Sequence, residues 1–259
     1  MNLRHVAAVV ADLDAPRRLF EALGLTVEGP KRSGVWKADV LTVGLWPVPL
    51  LLLRPNGSEG AIARRLSRKG PGLHQLVFEV ARLSVFCQGL TERGVPVVGV
   101  DTGEPFVDPR ASFGALLGFV EGKGEPGPEN GPPIDHVGWL VDDLDNVREF
   151  IAAVGLQTHA PEPEVAFQGV TATVDCPGMP IELKMPAVRG PYSRDLAKRG
   201  EGLHHLALRV SSLNDAAGCI RAAGLSLRPD KPIEEPHRRT LFVDPKAIGI
   251  LVELFEPKD

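Results

Sequence analysis

The sequence predicts an α+β fold in which four β-α-β-β-β modules pair into two domains with curved mixed sheets. A short apolar run begins at four places in the sequence, at spacings of 70, 61 and 69 residues. Each run is followed by a helix-like stretch that ends in Gly-Leu or Gly-Val. A module of this kind cannot cover its own sheet, so two modules must pair. The four openings are Leu3-Arg4-His5-Val6, Leu73-His74-Gln75-Leu76, Ile134-Asp135-His136-Val137 and Leu203-His204-His205-Leu206.

The third module illustrates how each element is predicted. Residues 135–141 alternate in polarity as a strand does. Asp143 or Asp145 can cap the helix that follows, and Gly155 ends that helix. The remaining strands predicted in this module are 170–174 and 179–185.

The fourth module repeats the same order of elements. Its predicted elements are a strand at 203–210, a helix at 214–223, and strands at 239–243 and 248–255. Within each half of the chain, a short basic helix closed by glycine is predicted between the two modules, at 62–69 and at 193–199.

A segment rich in glycine, proline and glutamate separates the two halves. Residues 123–132 cannot form a core strand or helix, so they are predicted to be a linker. The predicted domains are therefore residues 1–122 and 133–259, each containing two modules.

Composition limits the classes of function. The 259 residues carry a net charge of -4 with no long basic run, so nucleic acid is not an expected partner. The longest apolar stretch, Val43 to Leu53, is too short to span a bilayer, so no membrane partner is expected. The N-terminal residues lack a signal pattern and the three cysteines are far apart, which favours a cytoplasmic protein with reduced thiols.

Four side chains at repeat-equivalent positions form a candidate metal site. His136 and His205 occupy the first strands of modules three and four, and Glu182 and Glu253 occupy the last strands. A single histidine or glutamate in a strand is usually an ordinary core or surface residue. A carboxylate in an apolar strand is costly to bury unless it is paired or binds a metal, and here this occurs twice. Two imidazoles and two carboxylates suit one divalent first-row ion.

The N-terminal half provides an internal control for this site. Its equivalent positions are His5, Leu51, Gln75 and Gly118, which include one histidine and no carboxylate. We therefore expect the first domain to be metal-free, with a structural or substrate-covering role.

The repeat, the linker and these four residues resemble the vicinal oxygen chelate superfamily, which includes glyoxalase I, methylmalonyl-CoA epimerases, extradiol dioxygenases and bleomycin-resistance proteins. The resemblance is strongest in residues 133–257, and it points in particular to the epimerases. The motifs that carry it are Ile134-Asp135-His136-Val137-Gly138, the run from Leu196 to Ala207, and Phe242-Val243-Asp244-Pro245-Lys246 with Gly249 to Leu254. It implies two glyoxalase-like domains.

The resemblance also implies an activity. His136, Glu182, His205 and Glu253 would bind one cobalt, manganese, zinc or nickel ion, which polarises a substrate carbonyl and stabilises an enolate. Glu253 or Glu182 would move the proton. The implied protein is an isomerase, epimerase or lyase that acts on a small oxygenated or thioester substrate, with acyl-CoA among the candidates, as a monomer or homodimer.

One departure from the epimerase pattern puts true epimerisation in doubt. Epimerases carry a second acidic base just before their third strand. Here that position is Phe167, and Glu162 and Glu164 lie out of register with it. A lyase, an isomerase or a one-sided proton transfer remains open.

Two alternatives come from the same superfamily. An extradiol dioxygenase would bind iron with His136, His205 and Glu253 and would use His237 as its acid-base histidine. Glu182 would then close a position that the substrates need. The tyrosine expected shortly before the last ligand is absent, since Tyr192, the only tyrosine in the sequence, lies far upstream. A metal-free protein that sequesters a ligand is the other alternative, and the complete set of four ligands disfavours it.

Overall fold

The computed structural model describes residues 1–122, 133–177 and 179–258. Within them the α+β class and the four-module plan are confirmed. The predicted linker, residues 123–132, lies outside the described residues. The boundaries of the two predicted domains stay a prediction.

The N-terminal half follows the predicted order of elements. The first module comprises β1 (Asn2–Val9), α1 (Asp14–Ala22), β2 (Val27–Ser33), β3 (Ala38–Val43) and β4 (Leu50–Pro55). The connecting helix is α2 (Ala61–Lys69). The second module comprises β5 (Gly72–Val80), α3 (Leu83–Glu92), β6 (Val97–Val98), β7 (Phe106–Val107) and β8 (Leu116–Glu121).

The C-terminal half repeats this order with small additions. The third module comprises β9 (Ile134–Leu140), α4 (Leu144–Val154), β10 (Gln157–Thr158), β11 (Glu162–Glu164), β12 (Gly169–Asp175) and β13 (Ile181–Pro186). The connecting helix is α5 (Pro191–Arg199). The fourth module comprises β14 (Gly202–Arg209), α6 (Leu213–Ala222), β15 (Leu227–Glu234), β16 (Arg238–Val243), α7 (Pro245–Ile248) and β17 (Leu251–Pro257).

Local sequence signals explain most helix boundaries. The Asp143 side chain accepts a hydrogen bond from the Asn146 backbone nitrogen at 3.0 Å and caps α4, as predicted. Gly155 ends α4 with a φ of 95°. The two basic helices α2 and α5 are also confirmed, and they are followed by Gly70 and Gly200.

The prediction that the last strand starts at residue 248 is wrong. The Asp244 side chain caps a short helix, α7, and Pro245 occupies its first turn. Gly249 then reverses the chain with a φ of 79°, so β17 begins only at Leu251.

Among the described residues, the strands form two unclosed, curved mixed sheets. In every module the first strand pairs in parallel with the last strand. The remaining strands pair in antiparallel fashion outside them. The strand orders are β2-β3-β4-β1-β5-β8-β7-β6 and β10-β12-β13-β9-β14-β17-β16-β15, and β11 pairs with β12.

The described residues divide into two compact units. One contains residues 1–5, 74–122 and 136–204, and its core includes Phe78 and Phe119, whose ring centroids are 6.1 Å apart. The other contains residues 6–73, 133–135 and 205–258. Part of its core is a cluster of buried residues: Ala7, Val9, Ala38, Leu53 and Ile62. Within the described ranges, no helix is long and apolar enough to cross a membrane.

Candidate metal centre

The strand register places the four predicted ligands in two matching pairs. Glu182 on β13 pairs with the residue two positions after His136 on β9. Glu253 on β17 pairs with the residue two positions after His205 on β14. Residues two apart along a strand point to the same face, so each histidine shares a face with one glutamate.

Both pairs are in contact. The Nε2 atom of His136 lies 3.2 Å from the Oε2 atom of Glu182, and the Nε2 atom of His205 lies 3.2 Å from the Oε2 atom of Glu253. His136, His205 and Glu253 are buried, whereas the Glu182 side chain keeps 20% of its surface exposed. Glu182 is therefore the member of the four that solvent or a substrate can reach most easily.

Three of the four predicted ligands form one tight group. The ligand atoms of His136, His205 and Glu253 all lie within 4.8 Å of one another. Ligands that sit about 2.1 Å from one ion are separated from each other by about 3 to 4 Å. The donor types, two imidazoles and one carboxylate, suit a single divalent ion, and their spacing of at most 4.8 Å is close to that separation.

Glu182 lies outside this three-residue group. Its Oε2 atom, which faces His136, is also 2.5 Å from the Nζ atom of Lys184. The carboxylate is thus already engaged by a buried ammonium group. The predicted role of Glu182 as a fourth metal ligand stays a prediction.

Lys184 is the centre of a buried polar cluster. Its side chain is only 1% exposed, and its Nζ atom also lies 2.8 Å from the Oε1 atom of Glu164. The hydroxyl of Tyr192 donates a 2.7 Å hydrogen bond to the other oxygen of Glu164. Burial opposes the charged amino group, but Glu182 and Glu164 outweigh burial and hold the pKa of Lys184 above its usual value.

This cluster was not predicted from the sequence. Lys184 follows Glu182 by two positions in one strand, so it must share the face of Glu182. That spacing was the available signal. Glu164 was noted only as a carboxylate out of register, and it is buried. Phe167, at the position expected for a second base, stacks against Tyr192 with ring centroids 5.7 Å apart.

His237, the predicted acid-base residue, lies beside Arg238 on the β15–β16 hairpin. The guanidinium of Arg238 lies 3.9 Å from Glu253 and 2.7 Å from Glu235. His237 is exposed in the turn, where its backbone carbonyl accepts a hydrogen bond from Lys258. His237 is not part of the three-residue group, and its predicted acid-base role stays a prediction.

The equivalent positions in the N-terminal half have the same register but different chemistry. Leu51 pairs with the residue two positions after His5, and Gly118 pairs with the residue two positions after Gln75. Register thus supports the alignment of these positions with the candidate ligands. His5 is buried, and burial followed by the charge of Arg4 lowers its pKa to about 4.

The space beside Gly118 is filled by a different side chain. A Cβ atom at Gly118 would lie 2.6 Å from the Nε2 atom of Gln75. The amide of Gln75 therefore occupies the place where a side chain equivalent to Glu253 would begin. Within the described residues, the group that can hold an ion is confined to the C-terminal half.

Sequence comparison agrees with this architecture. The family model of the glyoxalase/bleomycin resistance protein/dioxygenase superfamily matches residues 4–113 and again residues 135–242. The chain belongs to this superfamily. The resemblance to this superfamily that was expected from the sequence is confirmed. The superfamily includes members that bind a divalent metal, and the donor types of His136, His205 and Glu253 agree with such a site.

Some relatives match about half of the length of this chain, and others match nearly all of it. The protein YqjC of Bacillus subtilis is 28% identical over 129 residues, which are 48% of this chain and 92% of YqjC. A variant of 4-hydroxymandelate synthase from Streptomyces coelicolor is 18% identical, with a TM-score of 0.75 over 99% of this chain and 92% of the synthase. At this identity the likeness shows the fold alone.

Methylmalonyl-CoA epimerase from Mycobacterium tuberculosis is 31% identical, with a TM-score of 0.44 over 49% of this chain and 88% of the epimerase.

Proposed function

We propose that this chain is a divalent-metal-dependent enzyme of the vicinal oxygen chelate superfamily that moves a proton beside a chelated substrate oxygen. The proposal assigns the ion to His136, His205 and Glu253 and the proton transfer to Glu182. The observation that carries it is the convergence of three buried donors within 4.8 Å of one another. Buried imidazoles and carboxylates so close together are what a bound cation stabilises.

The ion would contribute Lewis acidity. When bound, cobalt, manganese, zinc, nickel or iron would polarise a substrate carbonyl and make the neighbouring C–H bond more acidic. The remaining work falls to the side chains of the chain itself. The two imidazoles and Glu253, each at most 2% exposed, would hold the ion from its buried side.

Glu182 is suited to accept the proton. It is the most exposed of the four candidate ligands, and a base must reach its substrate. Two carboxylates, Glu182 and Glu164, face the single charge of Lys184. Protonation of Glu182 would leave the buried Lys184–Glu164 pair electrically neutral, so the cluster can hold the proton without burying net charge. Glu253 remains a second candidate for this role, and its burial favours the role of ligand.

The same surroundings narrow the reaction type. Phe167, at the position expected for a second base, is buried against Tyr192. One base on one side of the reacting carbon supports an isomerase or a lyase more than an epimerase. The substrate class is a small compound with two neighbouring oxygens, and acyl-CoA thioesters with a second oxygen near the carbonyl belong to it. The proposal extends to a cytoplasmic protein that acts as a monomer or a homodimer.

Hydrogen exchange with solvent tests this proposal. Protein loaded with Co²⁺ or Mn²⁺ is incubated in D₂O with 2-oxo acids and with acyl-CoA thioesters of that class, and loss of the C–H signal is followed by NMR. We expect exchange that a chelator abolishes and that Glu182→Gln removes without loss of the ion. Exchange that proceeds equally well in Glu182→Gln would assign the base elsewhere, with Glu253 and His237 next to be tested.

A second candidate function is an iron-dependent dioxygenase. It is favoured by the composition of the tight group, because two histidines and one carboxylate form the ligand set of many non-haem iron oxygenases. The engagement of Glu182 by Lys184 leaves more positions open on an ion. Oxygen uptake by anaerobically prepared, Fe²⁺-loaded protein with catechols or 2-oxo acids would support this function over proton transfer.

A further inference from the structure

We propose that Lys184 is a positioning residue that holds the Glu182 carboxylate out of the coordination shell of the ion. The ion would then be bound by His136, His205 and Glu253 alone, and Glu182 would stay available as the base. This inference rests on the proposed function and makes it more specific, because it assigns separate roles to two glutamates that the repeat makes equivalent.

The contacts of one oxygen atom carry the inference. The Oε2 atom of Glu182 lies 3.2 Å from the Nε2 atom of His136, close to where an ion would sit. The same oxygen lies 2.5 Å from the Nζ atom of Lys184. An ammonium group and a metal ion compete for the same carboxylate oxygen, because each binds the lone pairs of that oxygen and the two positive charges repel each other.

Lys184 cannot easily release Glu182. Its Nζ atom is also bound to Glu164 at 2.8 Å, and Glu164 accepts a 2.7 Å hydrogen bond from Tyr192. Lys184, Glu164 and Tyr192 are all buried. Moving the ammonium group away would leave a buried carboxylate without its counter-charge, which is strongly unfavourable. The lysine is thus held by Glu164, which Tyr192 fixes in turn, and its other contact is with Glu182.

The N-terminal half shows what the same backbone carries when no metal group is present. By strand register, Lys184 is equivalent to Leu53, because they pair with the residues four positions after His136 and His5. By position in the matching nine-residue helices, Tyr192 is equivalent to Ile62. Leu53 and Ile62 belong to one apolar cluster, against which Leu51, the counterpart of Glu182, packs. Lysine, tyrosine and glutamate therefore occur together in the half that contains the three-residue group of His136, His205 and Glu253.

Cobalt binding to the whole protein tests the inference, with isothermal titration and the visible Co²⁺ spectrum as readouts. We expect Glu182→Gln to bind Co²⁺ within about threefold of the natural chain, whereas Glu253→Gln, its repeat-equivalent control, should lose more than about 100-fold. Glu182→Gln leaves the Lys184–Glu164 pair intact, so it is the variant least disturbing to folding.

Removal of the lysine should have the opposite effect. In Lys184→Met the freed carboxylate should join the ion, with about tenfold tighter Co²⁺ binding and a changed visible spectrum. Adding Glu182→Gln to Lys184→Met should reverse both effects. If Lys184→Met does not fold, the double variant Glu164→Gln/Lys184→Met removes the second buried charge and permits the same measurement.

Three outcomes count against these assignments in different ways. A loss of Co²⁺ affinity in Glu182→Gln as large as that in Glu253→Gln would overturn the inference and make Glu182 a ligand. An unchanged affinity and spectrum in the folded lysine variants would also overturn it. If the natural chain binds no Co²⁺ at all, the proposed function itself fails.

Discussion

His5 and His136 occupy equivalent positions in the two halves, yet their surroundings differ in nearly every respect. His136 contacts a carboxylate at 3.2 Å and lies within 4.8 Å of a second histidine and a second carboxylate. His5 has Leu51 and Gln75 at the positions equivalent to Glu182 and His205. Its pKa is lowered to about 4 because burial disfavours the charged ring. The same arrangement of strands therefore carries a group of candidate metal ligands in one half and a neutral buried histidine in the other.

The comparison shows that the polar residues differ as a set. A buried carboxylate needs a partner, and a buried lysine needs a carboxylate, so neither can be replaced alone without cost. In the N-terminal half the counterparts of Glu182, Lys184 and Tyr192 are Leu51, Leu53 and Ile62, all packed in one apolar cluster. In each half the buried side chains at these positions suit one another, polar in one half and apolar in the other. The repeat is therefore evident in the backbone but not in the side chains.

The largest effect should separate the two histidines. His136→Ala should abolish Co²⁺ binding and activity, with affinity lowered by more than about 100-fold, because it removes a direct ligand. His5→Ala should leave the affinity within about threefold, because its half lacks the other ligands. Isothermal titration of both variants checks this, and metal retained by His136→Ala would refute the site.

The buried charges should separate Lys184 from Leu53. We expect Lys184→Met to lower the free energy of unfolding by about 3 to 5 kcal/mol, because the buried Glu164 and the partly buried Glu182 lose their counter-charge. The equivalent Leu53→Met conserves volume and should cost less than about 1.5 kcal/mol. Urea unfolding of both variants measures the difference. Glu164→Gln added to Lys184→Met should recover much of the loss, and equal losses at the two positions would contradict the argument.

A pH effect should identify the neutral histidine. The pKa of His5 is lowered from its usual 6.5 to about 4 in the folded chain, so between these values the unfolded chain binds more protons. The contribution of neutral His5 to the free energy of unfolding is therefore fully present above pH 6.5. It falls by about 3 kcal/mol as the pH decreases toward 4. Thermal unfolding of the natural chain and of His5→Gln across this range checks the prediction. Parallel pH profiles for the two proteins would be evidence against it.

The smallest effect concerns the position equivalent to Glu253. Gly118→Ala should lower the free energy of unfolding by about 1 kcal/mol, because the new Cβ would lie 2.6 Å from the amide of Gln75 and displace it. In a Gln75→Ala background the same change should be nearly neutral. A double-mutant cycle by urea unfolding measures this coupling, which should vanish if Gln75 does not fill that space.

The sequence was sufficient to predict the repeat, the fold class and the two glutamates in step with two histidines. Periodicity and glycine positions report backbone geometry, so the α4 cap at Asp143 and the glycine after each basic helix followed directly. The start of the last strand was mispredicted because Asp244 and Pro245 are a helix-start signal that the apolar run from Ile248 obscured.

The partners of Glu182 were harder to predict. Lys184 could have been placed on the face of Glu182 from its spacing alone. Glu164 and Tyr192 lie 20 and 28 positions from their partners in the hydrogen bonds that join the cluster, on other elements. Their convergence depends on how β11 and α5 pack, and single-sequence patterns do not contain that information.

The amide of Gln75 beside Gly118 also makes the difference between the halves hard to reverse. A glutamate at residue 118 would require the amide of Gln75 to move, and a glutamate at residue 51 would enter an apolar cluster without a lysine to pair with. Either substitution alone would lower the free energy of unfolding, because it displaces a packed side chain or buries a carboxylate without a partner. A second metal site in the N-terminal half would therefore require several substitutions made together.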